Sequence, residues 1–173
     1  MSVLVRNELQ VGSNILTQSK NMVVNSIMEI LLELAFLRKL DPAYLMSTRK
    51  GLEDAMYVWL HEQSLRGVIF EVSLPGGSNA LEHWDTSIAY SDTPDSEVKR
   101  APTAALKHFC ETLKNLPPGS SYDIICRVTR DAKEVPGWVT GKAKNINPTV
   151  EKNFGAFGYG TIKGQLHYRA EAF

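Results

Sequence analysis

The chain has 173 residues, of which 43% are hydrophobic and 22% charged, and its 19 Lys and Arg residues balance 19 Asp and Glu residues. This length suits one domain that buries roughly 70% of its unfolded surface, and the composition is neither that of a disordered chain nor that of a membrane protein. The basic residues are scattered in pairs such as Arg38-Lys39 and Lys99-Arg100. Nucleic acid is therefore not expected as the primary ligand, because phosphate binding usually needs a concentrated basic face.

The cysteines and the hydropathy pattern indicate a reducing compartment. Cys110 lies in a helical pattern and Cys126 in a strand pattern, and neither belongs to a CxxC pair, so both are expected to be reduced core residues. Residues 1–10 contain Arg6 and Glu8 and have no apolar run typical of a signal peptide, and no segment reaches about 18 uncharged apolar residues. We expect a cytoplasmic protein without a membrane span.

The first elements in chain order are an arm and a long helix. Residues 1–12, MSVLVRNELQVG, predict an extended N-terminal arm, either an edge strand or a loose terminus. A long helix is predicted from Ser13 or Thr17, either of which is a suitable N-cap, to about Leu40. Apolar residues cover most of its circumference, so the helix is expected at the centre of the domain.

A second helix and a hairpin follow. Asp41-Pro42 predicts the start of a helix that runs to about Leu65 and that Gly51 could divide. The apolar period then changes to two, which predicts a strand over residues 68–74 and another over residues 84–90. The intervening sequence PGGSN is typical of a turn, so these strands form an antiparallel hairpin.

The second half predicts one more helix and two more strands. Residues 91–101 are polar and contain a proline, which favours a surface loop, and a third helix is predicted over residues 102–116. A strand is predicted over residues 122–130. Residues 131–153 lack a clear period, and residues 161–170 predict either a strand of the sheet or a segment that moves.

Catalytic motifs are weak. His61-Glu62-Gln63-Ser64-Leu65 begins like the zinc motif HExxH, but Leu65 occupies the place of the second histidine. The tail glycines lack the strand and helix context of a phosphate-binding loop, and no serine lies in a GxSxG elbow. We therefore predict a binding protein with no metal and no cofactor. The residues most worth testing for a small enzyme are Glu71, Glu82, His83 and Asp85.

Three stretches of the sequence carry a resemblance to a known family. They are TQSKNMVVNSIMEILLELAFL, YVWLHEQSLRGVIFEVSLPGGSNALEHWDTSIAY and GAFGYGTIKGQLHYRAEAF. In this pattern the chain resembles the bacterial HORMA domains encoded beside a cyclic-oligonucleotide synthase in CBASS antiphage systems. The resemblance implies an α+β fold, with an antiparallel or mixed sheet packed on about three helices. Residues 1–173 would form one domain, with residues 131–173 as a C-terminal safety belt.

The resemblance also implies a mechanism and a set of partners. A closure-motif peptide of a partner would pair with a sheet edge, and the belt would rearrange around it. The protein would control a cGAS/DncV-like nucleotidyltransferase, an AAA+ ATPase would remodel it, and a second HORMA protein could take part. The residues expected to contact the peptide are Phe157, Tyr159, Thr161, Ile162, Leu166 and Tyr168.

The N-terminal arm has two implied roles under the same resemblance. It would be the handle that the ATPase pulls, or a closure motif held by a sister HORMA protein. The residues concerned are Val3, Leu4, Val5, Arg6 and Leu9. Two other interpretations stay open: an adaptor subunit with a fixed C-terminal strand that does not switch, and a small enzyme.

Overall fold

A computed structural model describes residues 2–171 of the chain, with side chains from residue 14 onward. The elements in chain order are α1 (Ser2–Leu37), α2 (Ala43–His61), β1 (Leu65–Ser73), β2 (Glu82–Lys99), α3 (Thr103–Thr112), β3 (Ser121–Val128) and β4 (Val150–Ala170). The strands form one antiparallel sheet in the order β3-β1-β2-β4. No helix within residues 2–171 combines the length and hydropathy of a membrane span.

The long helix α1 lies at the centre of the core, as its apolar pattern predicts. It packs against α2, α3 and β4, and its residues Ile27, Ile30 and Leu34 are fully buried. The sheet contributes Val68, Phe70 and other alternate residues of β1 to the same cluster. The helices therefore cover one face of the sheet, and side chains that alternate with Phe70 point to the opposite face.

The prediction of an extended arm over residues 1–12 is wrong for residues 2–12, whose backbone continues α1. The β-branched residues that suggested an extended stretch each cost a helix well under about 1 kcal/mol, and Gly12 costs about 1 kcal/mol. These costs are small once a helix is nucleated, because each added residue then gains a hydrogen bond. Gly51 likewise does not divide α2.

The predicted loop over residues 91–101 is also wrong, because β2 continues to Lys99. This extension pairs with β4 at Asp95 and Lys99, and the register shifts between Tyr90 and Asp95. Pro94 lies within that shift, where a residue without an N–H group is tolerated. The polarity of the stretch therefore reflects its exposure rather than the lack of a strand.

Strand β4 begins at Val150, earlier than predicted, and it folds back on itself. A straight strand of 21 residues would span about 70 Å, yet the N–H of Thr149 donates to the carbonyl of Ala170 over 2.9 Å. The reversal lies near Gly158 and Gly160, which have φ angles of 120° and 69°. These angles favour glycine over residues with a side chain.

A buried ion pair joins the helices to the sheet. Arg38 donates to Glu82 through Nε over 3.1 Å and through Nη2 over 2.6 Å, and both side chains are at most 3% exposed. Arg38 also donates to the carbonyl of Lys114, and the indole of Trp84 donates to Glu82 over 2.9 Å. Burial, followed by the negative charge of Glu82, raises the pKa of Tyr168, whose hydroxyl lies 3.5 Å from that carboxylate.

We expect the substitution Glu82→Gln to lower the free energy of unfolding by about 3–5 kcal/mol, because it leaves the buried charge of Arg38 without its counter-ion. The matched control is Glu53→Gln, which breaks a partly exposed pair with Arg49 on α2 and should cost at most about 1 kcal/mol. Urea denaturation of both variants measures the difference. Equal losses would show that the buried pair has no special role.

Candidate functional site

The sheet has two edge strands, β3 at one end and β4 at the other. Strand β3 lies at the end of the sheet, with β1 as its only neighbour among the described strands. In an antiparallel pair, every second residue turns its N–H and C=O away from the neighbour. Strand β3 therefore presents a row of donors and acceptors that another extended chain could pair with.

The segment that follows β3, residues 129–149, passes around this edge, beginning on the helical side. The N–H of Thr129 donates to the carbonyl of Ser64 over 2.9 Å, and the indole of Trp59 on α2 donates to the carbonyl of Lys133 over 2.8 Å. The Trp138 ring packs edge-on against Trp59 with ring centroids 5.5 Å apart. We call residues 129–149 the edge loop.

The edge loop ends on the opposite face of the sheet, at a buried polar cluster. The Lys144 N–H donates to Glu71 Oε2 over 2.7 Å, and Lys144 Nζ donates to Ser73 Oγ over 2.8 Å. The same Glu71 oxygen lies 2.9 Å from His83 Nε2, and both side chains are at most 4% exposed. A buried carboxylate is stable only when its oxygens are paired, so this cluster fixes the end of the loop.

A groove of about 1240 Å³ lies between β3 and the edge loop. No backbone hydrogen bond joins residues 121–128 to residues 130–143 in the part of the chain that the structure describes, so the loop encloses the strand edge without occupying it. Apolar side chains line the groove from both faces of the sheet: Trp59, Ile69, Ile125, Val128, Val135 and Trp138. The space fits an extended segment that would use both the strand edge and these side chains.

The groove has no sign of reactive chemistry among the described residues. Burial raises the pKa of the Cys126 thiol, at the groove wall, to about 12, so the thiol is uncharged at neutral pH and is a poor nucleophile and metal ligand. Within residues 14–171, no three His, Cys, Asp or Glu side chains are grouped to hold a metal ion.

The comparisons with known proteins agree with this geometry. The family model described as bacterial HORMA domain 2 matches residues 9–172. The chain belongs to this family. No curated protein sequence matches this HORMA domain.

Solved structures have the same fold at low sequence identity. A chain of the mitotic checkpoint complex aligns with a TM-score of 0.75 and 11% identity, covering 90% of this chain and 99% of that chain. C. elegans HTP-2 bound to the HIM-3 closure motif aligns with a TM-score of 0.70 and 11% identity, covering 91% and 92%. The E. coli MS115-1 HORMA:CdnC:Trip13 complex aligns with a TM-score of 0.59 and 11% identity, covering 91% and 90%. These similarities confirm the predicted HORMA-like fold.

The tail residues predicted to contact a peptide mostly face the core of this HORMA domain. Phe157, Ile162, Leu166 and Tyr168 are at most 2% exposed. The reason is that the inward face of β4 packs on α1. Contact of these four side chains with a peptide would require β4 to leave the sheet, and that role stays a prediction.

Two other predicted residues lie near the reversal of β4. Tyr159 is half-buried, and Thr161 donates its N–H to Ser19 Oγ on α1 over 3.1 Å. Thr161 Oγ1 is buried without a hydrogen-bond partner among the described residues. These contacts attach the reversal of β4 to α1.

The predicted roles of the N-terminal residues stay predictions. The backbone there is helical, and the side chains of Val3, Leu4, Val5, Arg6 and Leu9 lie outside the described residues.

The four residues singled out for an enzyme each have a structural interaction. Glu82 pairs with Arg38, Glu71 with His83, and Asp85 with Arg127 over 2.7 Å and 2.9 Å. They belong to separate interactions and do not form one group around the groove.

The predicted belt, residues 131–173, includes most of the edge loop, but no residue of the loop was singled out for peptide contact. The available signal was Trp138, a large aromatic residue within a polar stretch that is interrupted by Pro136 and Gly137. Such a residue needs a packing partner, which here is Trp59 of α2.

We expect Trp138→Ala to make the edge loop open more often, because the loop loses its aromatic contact with α2. An aromatic pair with its buried area stabilises the closed loop by roughly 1–2 kcal/mol. Its loss should raise the population of the open loop about tenfold. Because proteolysis follows that population, trypsin should cleave after Lys133 and Lys142 about tenfold faster. The control is Val139→Ala, whose side chain is 90% exposed. Equal cleavage rates for the two variants would contradict the packing of Trp138 as an anchor.

Proposed function

We propose that this HORMA domain is a cytoplasmic signalling adaptor, not an enzyme, which holds a closure-motif peptide of a partner protein along the free edge of β3. The observation that carries the proposal is the groove of about 1240 Å³ between this edge and the edge loop. An added strand would gain main-chain hydrogen bonds from β3, and the groove side chains would supply specificity. HTP-2, which shares the fold, is bound to a closure motif in its own structure.

The edge loop would have to open for most partners. It is continuous with β3 and β4, so a segment with folded protein at both ends cannot thread beneath it. The contacts of Lys144 with Glu71 and Ser73 hold the far end of the loop. Release of this cluster would admit the peptide, and its re-formation would retain it, which makes the loop the belt of the domain.

The α1 contacts support a route by which an AAA+ ATPase would reopen the domain. Ser19 of α1 accepts a hydrogen bond from the Thr161 N–H and lies against Gly160, where a side chain would have no room. Pulling the N-terminal end of α1 would withdraw Ser19 from the reversal of β4 and destabilise the belt region. In this proposal residues Val3–Leu9 are the handle.

The proposed downstream partner is a cGAS/DncV-like nucleotidyltransferase of a bacterial antiphage operon, and a second HORMA protein would be a further partner. The support is family membership together with the E. coli assembly of a HORMA protein with CdnC and Trip13. An adaptor with a fixed β4 is the alternative, favoured by the burial of Phe157, Ile162 and Leu166 in the core. Both forms would use the same groove.

Hydrogen–deuterium exchange of the full chain, alone and mixed with the nucleotidyltransferase and HORMA protein encoded beside it, tests the proposal. We expect slower exchange over residues 121–143 and increased synthesis of cyclic oligonucleotide. Protection confined to other surfaces, with unchanged synthesis, would refute it. Additional protection of residues 150–170 would distinguish a moving β4 from a fixed one.

The substitution Glu71→Gln tests whether the polar cluster retains the peptide. Hydrogen bonds to a charged group contribute about 1.5–3 kcal/mol, so we expect the bound partner to dissociate at least about tenfold faster. The control is Glu111→Gln on α3, whose side chain is 61% exposed. Surface plasmon resonance measures both rates, and an unchanged rate for Glu71→Gln would remove the cluster from the mechanism.

A further inference from the structure

The charges around the groove differ from those of the chain as a whole. The chain carries equal numbers of acidic and basic residues, but the groove lining has five basic residues, Arg66, Arg127, Arg130, Lys133 and Lys142, and one acidic residue, Glu134. Three of these residues, Arg127, Arg130 and Lys133, lie within seven positions of the sequence. Arg66 of β1 and Lys142 join them only when the edge loop folds around β3.

Part of this basic charge is already neutralised. Arg127 donates to both carboxylate oxygens of Asp85, and Lys133 lies 3.9 Å from Glu62. The Arg66 guanidinium lies over the Tyr90 ring. Arg66 also contributes, after a hydrogen bond from Thr129, to lowering the pKa of the Asp131 carboxyl. Lys133 and Arg66 therefore contribute only partly to the potential in the groove.

Arg130 and Lys142 are the basic residues that lack such compensation. Neither takes part in an ion pair or hydrogen bond with the residues that the structure describes. They lie 12 residues apart in the edge loop, and both side chains are exposed at the groove. Glu134 is the one acidic residue of the lining, so the two cations leave a positive balance beside the strand edge. This balance favours an extended ligand that carries negative charge.

We propose that the groove selects an acidic peptide: an extended segment of about eight residues in which apolar side chains alternate with Asp or Glu. The length follows from the eight residues of β3, and the alternation follows from the two-residue period of a strand. Apolar side chains on the helical side of the segment would pack on Trp59 and Trp138, and acidic side chains of the other alternate set would reach the exposed Arg130 and Lys142. This inference rests on the proposed function and adds the chemistry of the ligand.

A library of displayed peptides tests the inference on the full chain. Alternate positions of eight-residue peptides are drawn from Val, Ile, Leu and Phe, and the remaining positions from Asp, Glu, Ser, Lys and Arg. We expect selection to enrich Asp and Glu over Lys and Arg. The affinity of a selected peptide, measured by fluorescence anisotropy, should fall when NaCl is raised from about 50 to 300 mM, because salt screens exposed charges.

A matched pair of double variants isolates the groove charges. The first double variant carries Arg130→Glu and Lys142→Glu. We expect it to bind a selected acidic peptide at least about tenfold more weakly, and a new selection against it to favour peptides with Lys and Arg. The control, Arg100→Glu with Lys107→Glu, changes the net charge equally at exposed positions outside the groove lining. It should leave the affinity unchanged.

The outcomes separate the two proposals. Peptides that slow hydrogen exchange over residues 121–143 but show no preference for Asp and Glu would overturn the acidic ligand and leave the proposed groove function intact. Failure of every peptide to protect these residues would overturn both. Displacement of a bound peptide by an oligodeoxythymidine would assign the basic charge to nucleic acid and overturn the acidic-peptide inference.

Discussion

The buried ion pair between Arg38 and Glu82 is the interaction on which the arrangement of the domain depends. It joins the end of α1 to the start of β2, and it also engages Trp84, Tyr168 and the carbonyl of Lys114. A charge in such a site is costly unless its counter-ion is in place, so alternative packings of α1 on the sheet are strongly disfavoured. Tyr168 brings the end of β4 to the same point, which favours the pairing of β4 with β2.

The position of β4 determines what is left for binding. Since β4 pairs with β2 at one end of the sheet, β3 lies at the other end, where the edge loop passes around it. Unprotected edge strands promote aggregation, and proteins usually cover them. Here the edge loop leaves a groove with the outer hydrogen-bonding groups of β3 available, so in the proposed function the loop that covers the edge would also retain the ligand.

The two parts of the C-terminal region differ in how they are held. Strand β4 has a long hydrogen-bonded ladder with β2 and several side chains in the core. The edge loop has no such ladder: it is held by Trp138 on Trp59, by Lys144 on Glu71 and Ser73, and by separate main-chain hydrogen bonds such as that from Ala80 to Asn145. Segments with few buried contacts open at lower free energy than the core. The loop is therefore the part expected to move first, and β4 would follow only when its contacts with α1 are withdrawn.

The sequence by itself determined the element types that rest on periodicity: the central helix, the hairpin of β1 and β2, the third helix and the strand β3. Their apolar spacing reflects which side faces the core, and this is a local property. The resemblance of three stretches to bacterial HORMA domains predicted the family, and with it the pairing of a peptide with a sheet edge. Tertiary structure decided the rest, because the positions of residues 91–99 and 150–160 depend on pairing between distant segments. Contacts between distant segments, such as Trp138 on Trp59 and Lys144 on the buried Glu71, place the edge loop around β3. The groove and its basic lining exist only once that loop is folded, since Arg66, Arg130 and Lys142 are far apart in the chain.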